Sequence, residues 1–170
     1  APSGLEVFAN APEAERVTLD GATIHRFETT LPLPTYLVAL AVGPFEALET
    51  SIPANEVRSL ALPFRVIATK GQKPRMQMAL THAPRFVALI EEYFAIPYPY
   101  EKLDFIATPI LGGAMENAGL VVFDDSILLL DDSAPFEQLR TFAEIVAHEL
   151  AHQWFGNLVT PTWWTDVWLS

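Results

Sequence analysis

The sequence predicts an α+β fold. Before Gly71 the apolar residues alternate or gather in short β-branched runs, and after it they recur mainly at helical spacing. The change of pattern near residues 70–75 divides the chain into a β-rich segment, 1–71, and an α+β segment, 72–170. With 170 residues, 51% of them hydrophobic, the chain is long enough for one well-buried core or two smaller ones.

In the first segment, "ATIHRFETT" sets Ile24, Arg26 and Glu28 against His25, Phe27 and Thr29, the period of a half-buried strand. "TYLVALAVGPF" is a strand-like run closed by Gly43-Pro44, and "LPFRVIATKG" gives one more short strand ending at Gly71. In the second segment Pro74 stands where a helix can start, and Met78, Phe86, Val87, Leu89, Ile90 and Phe94 continue it. Pro84 falls inside that run, which predicts a kink or a meeting of two helices. "FIATPI", "GLVVFD" and "SILLLD" read as three short strands. The final helix is capped by Ser133, has Pro135 in its first turn and has Gly156 just past its end. Its apolar residues, from Phe136 through Leu139, Phe142, Val146 and Leu150 to Trp154, cover almost every face, which predicts burial on all sides.

Composition narrows the chemistry. Lys and Arg number 10 against 21 Asp and Glu, a formal charge of -11, and the basic residues are scattered. Nucleic acid and anionic membranes are poor partners for such a surface, whereas an amine-bearing ligand suits it. No apolar run approaches the ~18 residues of a membrane helix. There is no cysteine, so any metal must be held by histidine and carboxylate. The first residues lack a secretion-signal pattern, and the tryptophan-rich ending has no polar tail, so the chain reads as an excised piece of a longer protein.

The stretch "VAHELAHQWFG" places His148 and His152 four residues apart. On a helix these two side chains project from one face, so two imidazole nitrogens reach one point about 2 Å from each. Glu149 is turned about 100° from His148 around the 3.6-residue helix. That is too far for a natural third ligand and close enough to meet a water on the metal, so Glu149 is placed as a general base. His25 and His82 have no such company and are read as structural. A catalytic site needs three protein ligands, and Asp166 is the only nearby downstream carboxylate, as ligand, as support for a ligand or as a turn cap. A second unusual stretch, "PILGGAMENAGLVVFDD", joins a Gly112-Gly113 turn to Glu116-Asn117 just before a strand. Alone it is an ordinary hairpin connection.

Together the two stretches resemble the zinc aminopeptidases of the aminopeptidase N type, within the gluzincin metallopeptidases. Gly113-Ala114-Met115-Glu116-Asn117 is similar to that family's exopeptidase motif and His148-Glu149-Leu150-Ala151-His152 to its zinc motif. "HQWFGNLVTPTWWTDVWLS", "FAIPYPYEKLDFIATP" and "PTYLVALAVGPF" continue the likeness along nearly the whole chain. The resemblance implies that 1–71 is the C-terminal part of an antiparallel β domain and that 72–170 is the first part of a thermolysin-like catalytic domain. It implies Zn2+ on His148 and His152, Glu149 as the residue that polarises water and passes on its proton, and Glu116 as the grip on a peptide's free α-ammonium. Gly113, Ala114, Met115 and Asn117 complete the substrate-binding segment, with the backbone of Gly113 and Ala114 facing the peptide.

In that family the third ligand is a glutamate that would follow Ser170 directly, and the tyrosine that stabilises the intermediate lies further on. The implied function is zinc-dependent removal of N-terminal residues from peptides, with the 170-residue piece impaired or inactive alone and prone to self-association through bared apolar surface near Trp163, Trp164 and Trp168. Three other readings stand beside it: a thermolysin-like endopeptidase, against which Glu116 argues because it would obstruct a continuing chain; a bifunctional epoxide hydrolase of the leukotriene A4 hydrolase type; and a non-catalytic module that binds peptide N-termini.

Overall fold

The structure, a computed structural model, describes residues 1–169. Its centre is a five-stranded mixed sheet in the order β5-β6-β7-β9-β8, built from β5 (Phe45–Ile52), β6 (Leu62–Thr69), β7 (Leu103–Thr108), β9 (Leu120–Asp124) and the two-residue edge strand β8 (Ala114–Met115). β5 pairs antiparallel with β6, β6 and β7 run parallel, β7 and β9 run parallel, and β8 returns antiparallel along β9. Parallel strands need a crossover, and helix α1 (Lys73–Phe94) supplies the one from β6 to β7. The sheet therefore runs across residue 71. The change of pattern there marks a passage from strand to helix within one hydrogen-bonded layer.

The central strands are buried on both faces, as parallel strands usually are. Phe64, Val66, Ala68, Phe105, Val121 and Phe123 face a core shared with α1 and with α3 (Phe136–His152). Ile67, Ile106 and Leu120 face the other way, onto Phe8. That second layer is an antiparallel pair, β1 (Glu6–Ala9) with β4 (Leu40–Gly43), while β2 (Glu13–Leu19) and β3 (Ala22–Phe27) form a separate exposed ribbon. The run "TYLVALAVG" is thus divided: Thr35–Leu37 is a 3-10 turn and only Leu40–Gly43 is strand.

Polar clamps tie the layers together. Lys102 Nζ donates to Asp104 Oδ2 and to the carbonyls of Ala9 and Gly119, each at 2.7 Å. Arg65 completes the cluster with paired bonds to Asp104 at 2.7 and 2.6 Å. Asn10 donates to the carbonyls of Leu37 and Ala118 and accepts from the Ala39 amide, all at 2.8 Å. The N-terminal strands are in this way fastened to the segment that follows Glu116.

Four expectations are corrected. Pro84 neither breaks nor divides α1, which runs unbroken for 22 residues. The missing amide costs a hydrogen bond, but Met76, Ala79, Ala83 and Val87 are fully buried against the sheet and hold the helix across it. "SILLLD" is not a strand. Asp124 caps a single helical turn, α2 (Asp125–Leu128), by accepting from Ser126, and Leu128, Leu129 and Leu130 are buried from that turn rather than from a sheet. Helix α3 is capped at Pro135 without a side-chain bond, so Ser133 plays no part. α3 is also buried along one face only: Phe142, Val146, Glu149 and Leu150 point inward while Phe136 is 73% exposed.

Candidate functional site

The last two turns of α3 carry His148 and His152 on one face, with their Nε2 atoms 3.1 Å apart and their rings edge-on, centroids 4.5 Å apart. Two nitrogens that share a tetrahedral zinc at 2.0–2.1 Å lie about 3.3 Å from each other, so the pair already has the spacing of two ligands to one ion. His152 Nδ1 lies 3.1 Å from the Phe155 carbonyl. A carbonyl only accepts, so Nδ1 carries the proton and the Nε2 lone pair is left for a ligand. This is the backbone support that metal-binding histidines characteristically have. The donor set fits a divalent metal of zinc's preferences, and His148 is exposed and open to approach.

Glu149, next to the first histidine, lies on the buried side of the helix and is 5% exposed. Burial, with the charge of Glu116 adding to it, pushes its carboxyl up to about 7. Its Oε2 is buried without a protein partner. A carboxylate in this condition needs a water or a substrate group beside it.

Glu116 follows β8, the edge strand of the sheet. Gly113 opens that strand at φ 129°, a backbone region that glycine alone enters easily, and its carbonyl accepts from the Asp124 amide at 2.7 Å. Beyond Glu116, Asn117 is buried and donates to the Tyr36 carbonyl at 3.4 Å. The Glu116 carbonyl is held from the other side: Gln153 Nε2 donates to it at 3.0 Å and Asn157 Nδ2 at 2.8 Å.

Residues 78–170 match the model of the peptidase family M1 domain. The chain belongs to peptidase family M1. It is similar, at 41% identity over 98% of its length, to the leucyl aminopeptidase of Saccharolobus solfataricus. It is 40% identical over 99% of its length to aminopeptidase M1 of Arabidopsis thaliana, and 37% identical over 96% to human endoplasmic reticulum aminopeptidase 2. The chain spans about a fifth of the length of the curated relatives it matches: 20% of the first of these, 19% of the second and 17% of the third.

In this M1 chain the predicted residues fall into two places that meet. His148, Glu149 and His152 share the C-terminal turns of α3. Gly113, Ala114, Met115, Glu116 and Asn117 run along the sheet edge, joined through the two amides to the C-cap of α3 and the turn after it. His25 sits apart in the β2–β3 ribbon, with Nδ1 2.6 Å from Glu13 Oε1, and His82 sits on α1. Among the described residues no third histidine or carboxylate joins the histidine pair. The side chain of Asp166 and the position of Ser170 lie outside the described residues.

Sequence reasoning missed Gln153 and Asn157. The available signal was two amide side chains, Gln153 and Asn157, closely following the histidine pair among the apolar residues Trp154 and Phe155.

Proposed function

We propose that this M1 chain carries the metal-binding helix and the amine-recognition segment of a zinc aminopeptidase, which removes N-terminal residues from peptides. The observation that carries the reading is the pair of Nε2 atoms 3.1 Å apart beside a buried carboxylate, on a helix whose end also holds Glu116. His148 and His152 are the residues that would hold the metal. On this reading the third ligand is a carboxylate from polypeptide beyond residue 170, in keeping with the fifth of their relatives' length that these residues span. The chemistry supplied when zinc is bound is the activation of a water near neutral pH and the polarisation of a carbonyl.

The chain's own residues do the rest. Glu149 presents the unpartnered Oε2 at which a water's proton is held and from which it is handed to the departing amine. Glu116 receives the substrate's ammonium in a charge-assisted contact and so fixes where the peptide must begin. Among the described residues β8 pairs with β9 alone, and its other edge, Ala114–Met115, is available for an extended peptide to pair as an added strand. The -11 charge favours approach of a cationic N-terminus. Residues 1–71 serve on this reading as the end of a β domain and 72–170 as the first part of a thermolysin-like domain, with the sheet joining them through β6 and β7.

The test is zinc content and turnover of an aminoacyl 4-nitroanilide by the full-length protein. Wild type should hold zinc and turn over. Glu149→Gln should keep the metal and lose on the order of 10³-fold or more in kcat, since it removes the proton acceptor. Turnover by Glu149→Gln at the wild-type rate, or equal turnover of free and N-acetylated substrates, would contradict the proposal.

A further inference from the structure

The carbonyls of residues 116–119 are all engaged. Asn117 O accepts from the Leu120 amide, Ala118 O from Asn10, and Gly119 O from Lys102 and the Asp104 amide. Glu116 O takes the amides of Gln153 and Asn157, the first of which directly follows His152. Both amide side chains are almost wholly buried, Gln153 at 0% and Asn157 at 6% exposure. Each spends its NH2 on the same carbonyl, and each leaves its own oxygen, Oε1 or Oδ1, without a protein partner. Gln153 Nε2 also lies 3.2 Å from the Glu149 carbonyl. Burying unpaired amide oxygens is costly, and the C-cap of α3 and the turn after it bear that cost at Gln153 and Asn157.

From this geometry we infer that Gln153 and Asn157 are positioning residues that set the distance between the Glu116 amine anchor and the histidine pair. The inference rests on the aminopeptidase reading and deepens it. An enzyme that counts residues from a free amine needs a fixed span from anchor to reacting carbonyl. A misplacement of about 1 Å suffices to cost such an enzyme on the order of 10²-fold. Gly113 and the two-residue β8 leave the segment ahead of Glu116 lightly braced. Gln153, the C-cap of α3, and Asn157, in the turn that follows, brace it from the chain directly after the histidine pair, so anchor and histidines move as one body.

The experiment compares wild type, Gln153→Met, Asn157→Ala and Glu116→Gln in the full-length protein, with the inhibition constants of L-leucinamide and N-acetyl-L-leucinamide as the probe. Zinc content and Tm are measured alongside. Loss of a buried hydrogen bond to the anchor should weaken L-leucinamide by about tenfold and leave the N-acetyl compound within about twofold. KM for free-amine substrates should rise more than kcat falls, and zinc content should be unchanged. A merely structural role would lower Tm or zinc content and weaken both ligands together. That pattern, or retention of the wild-type preference in both variants, overturns the inference. Should Gln153→Met fail to fold, Asn157→Ala alone decides. If Glu116→Gln itself leaves the preference for the free amine intact, the aminopeptidase reading fails, and the two failures are thereby told apart.

Discussion

Single residues in this chain bear unequal loads, and the buried charges bear the most. Glu91, fully buried in α1, accepts from Arg58 Nε at 2.8 Å, from Asn55 Nδ2 at 2.6 Å and from the Tyr98 amide at 2.9 Å. Arg58 in turn donates to the carbonyls of Ile52, Pro53 and Leu60 and so shapes the loop between β5 and β6. Replacing such a pair by matched apolar groups is often neutral, but removing one partner strands a buried charge. Arg58→Met is therefore expected to destabilise the chain by about 3 kcal/mol or more, measured by urea unfolding, whereas removal of the exposed Arg26–Glu15 pair should cost under about 1 kcal/mol. Tyr98 carries the effect toward the site: its ring packs edge-on against Trp154, 5.8 Å between centroids, and the Trp154 indole donates to the Ile96 carbonyl at 3.0 Å.

At the scale of elements, the turn joining the Glu116 segment to β9 shows how little freedom the site has. Gly119 has φ 70°, and a Cβ there would meet the Asn10 carbonyl oxygen at 2.4 Å. Backbone cannot yield as a side-chain tip can, so Gly119→Ala combines left-handed strain with an overlap. It should cost roughly 2 kcal/mol or more in thermal unfolding and disturb Glu116 more than the histidines. An alanine tolerated there without loss of Tm would mean that the Asn10 contact is not tight. Elements also separate what the sequence discloses from what it conceals. The histidine pair was legible because four-residue spacing is intrinsic to a helix, and β7 and β9 were legible as apolar runs bounded by breakers. Pro84 does not split α1 in two because its local penalty is outweighed by the burial of Met76, Ala79, Ala83 and Val87 around it. "SILLLD" misled because an apolar run this short has no period of its own, and the Asp124 cap decided for helix. Gln153 and Asn157 concealed their role because their partner, the Glu116 carbonyl, is 37 and 41 residues away and meets them only in the folded chain.

The whole molecule is organised around two layers closing on one sheet. One layer, α1 with α3, supplies the face that carries His148 and His152. The other, β1 with β4, reaches over the sheet through Asn10 and Lys102 and fastens the turn after Glu116. Neither layer alone defines the site, which lies where the end of α3 meets the sheet edge at β8. That His148 and His152 share one metal ion is put to the test by anomalous diffraction at the zinc edge on crystals of the full-length protein. A single peak is expected about 2 Å from both Nε2 atoms. A zinc peak elsewhere, or rings bound to nothing in zinc-replete crystals, would contradict it.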